Sequence, residues 1–334
     1  MNPHELIHCP GTLAEGFSTY SPRFLRRMFG GKKVSHILPY DPPQKNDIVA
    51  ELFLQNRKRI SISGVQEKLS LVLEKGSLRL TKEGEQGTYI LKPIPRDLKK
   101  VIQVPANEHL TMQIATQVYG LYSAEAGLIF FKDGTPAYIT KRFDVKEDGS
   151  KRGNDDFATL GARTKDNAGP DFKYEYNYEV AGLLIQQYVP SWRVEIEKYF
   201  ALVVFNYLFA NGDAHLKNFA LLESDSGDYR LSPAYDLINT RLHVEDTDFA
   251  LSEGLFNDNY QSERSKICGH PGKEDFIEFA RRIGVLENRA IKLLQPFLEH
   301  QPEVESLISR SFMHAASKRG YLHVYQTRRN WLAS

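Results

Sequence analysis

The side chains with the clearest chemical purpose stand together in Asn211-Gly212-Asp213-Ala214-His215-Leu216-Lys217-Asn218. An aspartate five positions before an asparagine sets a proton acceptor for an attacking hydroxyl beside a neutral oxygen donor for Mg²⁺, the pairing that phosphoryl transfer uses. The loop follows a strongly apolar run, Tyr199 to Ala210, and the backbone is expected to turn at Gly212. A second carboxylate, Asp236, stands in Leu231-Ser232-Pro233-Ala234-Tyr235-Asp236-Leu237, after a hairpin that would fold back and return it beside Asn218. Mg²⁺ takes hard oxygen ligands and keeps several waters, so Asn218 and Asp236 would suffice as its protein ligands. Either aspartate alone reads as a turn residue, common next to Gly and Pro. The spacing, the hairpin and the second carboxylate together favour a metal–nucleotide site. Imidazole suits Mg²⁺ poorly, so His215 is expected to support the nucleotide site rather than bind the metal.

A nucleotide site also needs a cation and a loop over the phosphates. Lys92 ends Tyr89-Ile90-Leu91-Lys92 just before Pro93, where an ammonium group would meet α- and β-phosphates. Glu108, in the first turn of the next helix, would either orient that lysine or sit in solvent. Ser61-Ile62-Ser63-Gly64-Val65-Gln66-Glu67-Lys68 precedes the first hairpin, yet its one glycine is not the G-x-G-x-x-G pattern. Near the end of the chain, Lys318-Arg319 and Arg328-Arg329 with Tyr321, Tyr325 and Trp331 read as a solvated helix with a docked aromatic face.

Positioning these groups takes a β-rich part and a helical part. Leu69–Leu73 and Leu78–Leu80 flank Glu74-Lys75-Gly76-Ser77 as a hairpin. Tyr89–Lys92 adds a strand, and Leu128–Phe131 with Ala137–Thr140 makes a second hairpin. Leu110, Ile114 and Val118 recur every fourth position and predict a helix from about Ala106 to Tyr119, with Pro105 just ahead of it. Polar KEDGSKRGNDD marks a boundary. Beyond it, helices are expected at about 178–188, 192–210, 273–283, 287–299 and 303–320, Ser191 capping the second, with one hairpin from Phe219–Leu222 and Tyr229–Leu231. The expected organisation is an irregular N-terminal segment 1–45, a small β-rich ATP-binding lobe 46–145 and a larger helical catalytic lobe 146–334. That is an α+β, two-lobed, protein-kinase-like layout.

Composition narrows the setting. Of the 334 residues 41% are hydrophobic and 25% charged, enough for a globular core. A formal net charge of +1 gives no global field toward nucleic acid or membrane. Two cysteines, Cys9 and Cys268, lack metal-site spacing and fit a reducing cytoplasm. MNPHELIHCPGTLAEG lacks the basic start and apolar run of a signal peptide. Tyr199–Ala210 is shorter than the roughly 20 residues of a membrane span.

Several segments, SISGVQEKLSL, YILKP, ANEHLTMQIA, ITKRFD, FKYE, NGDAHLKNF and YRLSPAYDL, stand in family order, and from about residue 60 to 240 the chain resembles the HipA family of bacterial serine/threonine kinase toxins. The resemblance implies a HipA-like fold, with ATP and Mg²⁺ as cofactors. It implies Asp213 as the catalytic base, Asn218 and Asp236 as the Mg²⁺ ligands and Lys92 as the phosphate-contacting lysine. Ser63, Gly64, Val65, Gln66 and His215 would be further ATP contacts. Lys141, Arg142 and Phe143 would form the hinge at adenine, although Lys141 replaces a commonly acidic residue. Autophosphorylation at Ser61 or Ser63 would switch the enzyme off. The implied target is an aminoacyl-tRNA synthetase, the tryptophanyl enzyme in particular, with arrest of translation as the outcome. Only about 60 residues precede the loop, where full-length members carry a further small domain of roughly a hundred residues. The chain therefore resembles the short HipT type, in which a small antitoxin protein supplies that domain alongside a DNA-binding antitoxin. The chain itself is expected to bind neither DNA nor membrane. Two other readings compete: a metal-dependent phosphoesterase using Asp213, His215 and Asp236, which would need further ligands, and an inactive kinase-fold binding subunit, against which the intact Asp213, Asn218 and Asp236 argue.

Overall fold

The computed structural model describes residues 2–42, 67–95 and 99–334. The chain divides into two compact units, the first Met1–Gln113, Ala124–Ser150 and Glu305–Lys318, the second Ile114–Ser123, Lys151–Val304 and Arg319–Ser334.

The first unit holds an antiparallel sheet of β1 (Leu69–Glu74), β2 (Ser77–Leu80), β3 (Tyr89–Lys92), β4 (Ala126–Phe130) and β5 (Pro136–Lys141), in the order β2-β1-β3-β5-β4. The β1–β2 hairpin forms where expected because Lys75 and Gly76 both take positive φ, 49° and 80°, the turn backbone whose twist matches that of its strands. Leu69 lies opposite Leu91, and Leu91 opposite Ile139, so these side chains share one buried face. What covers that face is the stretch expected to be irregular, which carries a helix, α1 (Pro22–Phe29). Ser21 accepts a bond from Phe24 N, Pro22 opens the first turn, and Gly30 ends the helix at φ 61°; cap, proline and left-handed glycine each stabilise a helix end. Phe24, Met28 and Phe29 enter one core with Leu69, Leu71, Leu91, Ile129 and Ile139. Cys9 is fully buried there, its sulfur accepting bonds from Gly11 N (3.3 Å) and Ser21 N (3.1 Å). Gly11 must be glycine, since a Cβ would lie 2.1 Å from the Phe24 ring.

Helix α2 (Val104–Gln117) starts earlier than expected. Pro105 sits inside its first turn, where the missing N–H would have had no helical partner, and Leu110 and Ile114 are buried.

In the second unit α3 (Tyr178–Tyr188) is capped by Asn177, which accepts from Val180 N at 2.8 Å. The next helix, α4 (Trp192–Leu208), is buried at every position from Tyr199 to Leu208, as an element apolar all round must be. Ser191 precedes it without capping it. Its backbone (φ −90°, ψ 30°) is not extended, and an extended backbone is what aims a cap oxygen at the free N–H groups. A second sheet follows the order β6-β7-β8, from β6 (Asn154–Asp156), β7 (Ala220–Glu223) and β8 (Tyr229–Leu231). The β7–β8 hairpin agrees with the sequence reading. Strand β6 had no counterpart in the sequence reading, which took its polar stretch only as a boundary. It pairs antiparallel with β7, Asn154 opposite Leu222 and Asp156 opposite Ala220.

Helices α5 (Glu263–Cys268), α6 (Lys273–Arg282) and α7 (Glu287–Leu298) follow in this unit. The single helix expected over 303–320 is two, α8 (Pro302–Arg310) and α9 (Ala315–Ala333). Ser311 donates from N and Oγ to Ile308 O (3.2 and 2.8 Å), and Gln103 Oε1 takes the N–H of His314 at 2.6 Å. These side-chain bonds compete with the helical ladder and interrupt it. On α9, Tyr321 and Tyr325 are docked as expected, but Arg328 is not solvated. It is 1% exposed, pairs with Asp248 at 2.7 Å and lies over the rings of Tyr207 and Trp331. Among the described residues no helix is long and apolar enough to cross a membrane.

Candidate active site

The loop that follows α4 is fixed from several sides. The backbone turns at Gly212 as the sequence reading expected, with Ala214 N donating to Asn211 O, and Ala210 just before it takes φ 50°. Gly212 answers a second need as well, because a Cβ there would fall 2.6 Å from the Asp246 side chain. Thr240 Oγ1 accepts the Gly212 N–H (2.8 Å) and donates to Ala210 O (3.0 Å). Asn211 is tied to Asn206 through Nδ2 and Oδ1 at 2.8 Å, and Tyr178 OH donates to Ala214 O at 2.8 Å.

On this frame the Asp213 side chain is 15% exposed. Its Oδ1 accepts a bond from Tyr174 OH at 2.6 Å, and His215 Nε2 lies 3.9 Å from the same oxygen. Burial raises the Asp213 pKa because it disfavours the charged form. The Tyr174 bond and the Lys173 charge oppose that shift, while the Asp246 and Asp236 charges add to it. Asn218 Oδ1 accepts the His215 N–H at 3.2 Å, closing the loop on itself. Tyr235 OH donates to Lys217 O at 2.7 Å and so fastens the segment of Asp236 beside Asn218. Asp236 takes φ 56°, a left-handed conformation that a short polar side chain tolerates better than most. His215 is 1% exposed and meets the Tyr174 ring edge-on at 5.2 Å. The structure therefore brings Asp213, His215, Asn218 and Asp236 into one loop cluster. Tyr174 and Asp246 join them, and neither drew a role from sequence: Tyr174 stood in the quoted FKYE segment, whereas Asp246 carried no local signal. Among the described residues no group of three or more His, Cys, Asp or Glu side chains forms a metal-ligand cluster.

The other candidates belong to the first unit. Lys92 Nζ lies 2.5 Å from Glu108 Oε1, the two side chains being 3% and 2% exposed, and its ammonium sits over the Tyr138 ring at 5.2 Å. Of the two readings of Glu108, orientation of the lysine is the one observed. Lys141 N and Arg142 N already donate, to Glu125 O and Thr88 O at 2.9 Å each. Arg142 pairs with Asp144, the Lys141 side chain is exposed, and Phe143 is half-buried. Ser61, Ser63, Gly64, Val65 and Gln66 lie outside the described residues.

Comparison with solved structures assigns the fold. The chain is similar to HipA of a toxin–antitoxin system from Shewanella oneidensis MR-1, solved with HipB and operator DNA, with a TM-score of 0.61 and 20% identity. That match covers 81% of this chain and 63% of the other, so the chain spans less than two thirds of that protein. It is also similar to the proinflammatory kinase CtkA of Helicobacter pylori, with a TM-score of 0.51, 16% identity, and coverage of 79% and 93%. The fold is thus α+β and protein-kinase-like. A relative from Haemophilus influenzae, named "Putative kinase", is 26% identical over 343 residues, covering 94% of this chain and 92% of the relative. Residues 60–304 match the HipA-like C-terminal domain, and the chain belongs to that family.

Proposed function

We propose that this chain is a serine/threonine protein kinase that transfers the γ-phosphoryl group of ATP with Mg²⁺. The observation that carries the reading is the loop itself: Asp213 and Asn218 lie on one constrained turn, and the Tyr235–Lys217 bond fastens Asp236 to it. The donors suit the metal. Asn218 and Asp236 offer hard oxygens, and the Asp236 and Asp246 charges already bear on Asp213, an excess of negative charge that a divalent cation would relieve. Bound by Asn218 and Asp236, Mg²⁺ would supply neutralisation of phosphate charge. Asp213 would accept the hydroxyl proton. Lys92, oriented by Glu108, would contact phosphate, and Lys141 to Phe143 would serve adenine. By resemblance the loop with Ser63, Gly64, Val65 and Gln66 covers the nucleotide, and Ser61 or Ser63 takes the inhibitory phosphate.

The same resemblance makes the chain a toxin of the HipT kind, acting on an aminoacyl-tRNA synthetase, the tryptophanyl enzyme being the first to test. HipB and operator DNA accompany HipA of Shewanella, which supports a DNA-binding antitoxin as one partner here, beside a small antitoxin protein. The test is incubation of the full chain with γ-labelled ATP, Mg²⁺ and cell lysate. A labelled protein band is expected with the unaltered chain and not with Asp213→Asn. ATP consumption without any labelled protein would overturn the reading.

A further inference from the structure

We propose that Tyr174 is a positioning residue for the transfer step: its hydroxyl holds Oδ1 of Asp213 so that Oδ2 faces the incoming substrate hydroxyl. This rests on the kinase reading above. In the step, the substrate oxygen bonds to the γ-phosphorus and the bond to the β,γ-bridging oxygen breaks. The electron pair leaves with ADP, and the hydroxyl proton passes to Oδ2.

Geometry carries the assignment. The Tyr174–Asp213 bond is 2.6 Å long, and a short bond to a carboxylate is both strong and directional. The His215 nitrogen at 3.9 Å lies on the same Oδ1. Among the described residues no hydrogen bond goes to Oδ2. The tyrosine is itself well anchored. Its N–H bonds Asp171 O and its carbonyl takes the Ser252 N–H, each at 2.8 Å. Its ring lies edge-on to His215 at 5.2 Å and under the Lys173 ammonium at 4.8 Å. Two residues on, Tyr176 is held at φ 75° with Arg163 over its ring at 4.2 Å, a conformation that persists only where the surroundings impose it. A hydroxyl on so fixed a backbone can set the orientation of a carboxylate. The groups that bear on Asp213 are Tyr174, Lys173, His215, Asp236 and Asp246, and of these Tyr174 is the one that donates a hydrogen bond to it.

Tyr174→Phe removes the hydroxyl and keeps the ring. In the full chain it is expected to lower kcat roughly 10–100-fold, the effect of one hydrogen bond to a charged group, with KM for ATP unchanged. The acid limb of the pH profile should move to higher pH, because the lost bond favoured the ionised carboxylate. Carboxyl ¹³C resonances of aspartate-labelled protein, with Asp213 assigned from Asp213→Asn, should show the Asp213 titration moved the same way without any turnover. Unchanged kcat and pH profile, or a fall in kcat with the Asp213 titration unmoved, would overturn the proposal. If Asp213→Asn transfers phosphate as well as the unaltered chain, the base reading fails and the positioning role fails with it. The carboxyl titration would still report the bond.

Discussion

A carboxylate that must accept a proton gains from being a weaker acid than one in water, and burial moves Asp213 in that direction. Its protonated form is inactive as a base, so kcat/KM should fall as pH drops through a pKa above the ordinary aspartate value; a pH–rate profile of the full chain checks this. Asp213→Asn should lower kcat by roughly 10²–10⁴-fold and leave Mg–ATP affinity nearly intact, whereas Asp236→Asn should weaken that affinity, as paired calorimetric titrations would show. Lys92 behaves differently from these loop residues because its pair with Glu108 is buried. Lys92→Met should destabilise the protein by about 3–5 kcal/mol, since it strips the cation from a buried carboxylate. Lys92→Met with Glu108→Leu should regain much of that stability and no activity. Urea unfolding of both variants decides it, and equal losses in the two would show that the ions do not support one another.

At the scale of elements, what was legible followed from local chemistry. The β1–β2 hairpin was readable from Lys75-Gly76, and the Asp213–Asn218 loop from its spacing behind an apolar helix. Strand β6 was hidden because Asn154, Asp155 and Asp156 carry no apolar alternation, although they pair in register with Leu222, Leu221 and Ala220. The turn at Gly212 was legible, but the second demand on that glycine was not: it is set by Asp246, a residue far along the chain. Helix α1 could have been found, since Ser21, Pro22 and Gly30 frame it, but a helix this short seldom shows a convincing period. Its cap can be tested directly. Ser21→Ala removes the acceptor for Phe24 N and should lower stability by about 1 kcal/mol, read as a shift of the urea midpoint at constant slope. No shift would mean that α1 is held by its buried face alone.

For the whole molecule, the family match ends at residue 304, yet the core does not. Residues 2–42 supply Phe24, Met28 and Phe29 to the first unit, and α9 sends Arg328 against Asp248 in the second. Arg328→Met would leave Asp248, 21% exposed, with Arg241, 3.6 Å away, as its remaining arginine partner. It should lower stability by about 2–3 kcal/mol, less than for a fully buried pair because water reaches the acid; thermal unfolding is the measurement, and an unchanged midpoint would show that neither the ion pair nor the guanidinium–ring contacts hold α9 in place. The two thiols lend themselves to following such losses. Cys268 is exposed, while Cys9 is shut in the first unit's core. A thiol reagent would therefore consume one equivalent at once, and a second only as fast as the N-terminal segment lifts away. The lag between the two is a clock, already present in the unaltered chain, for how often that core comes open.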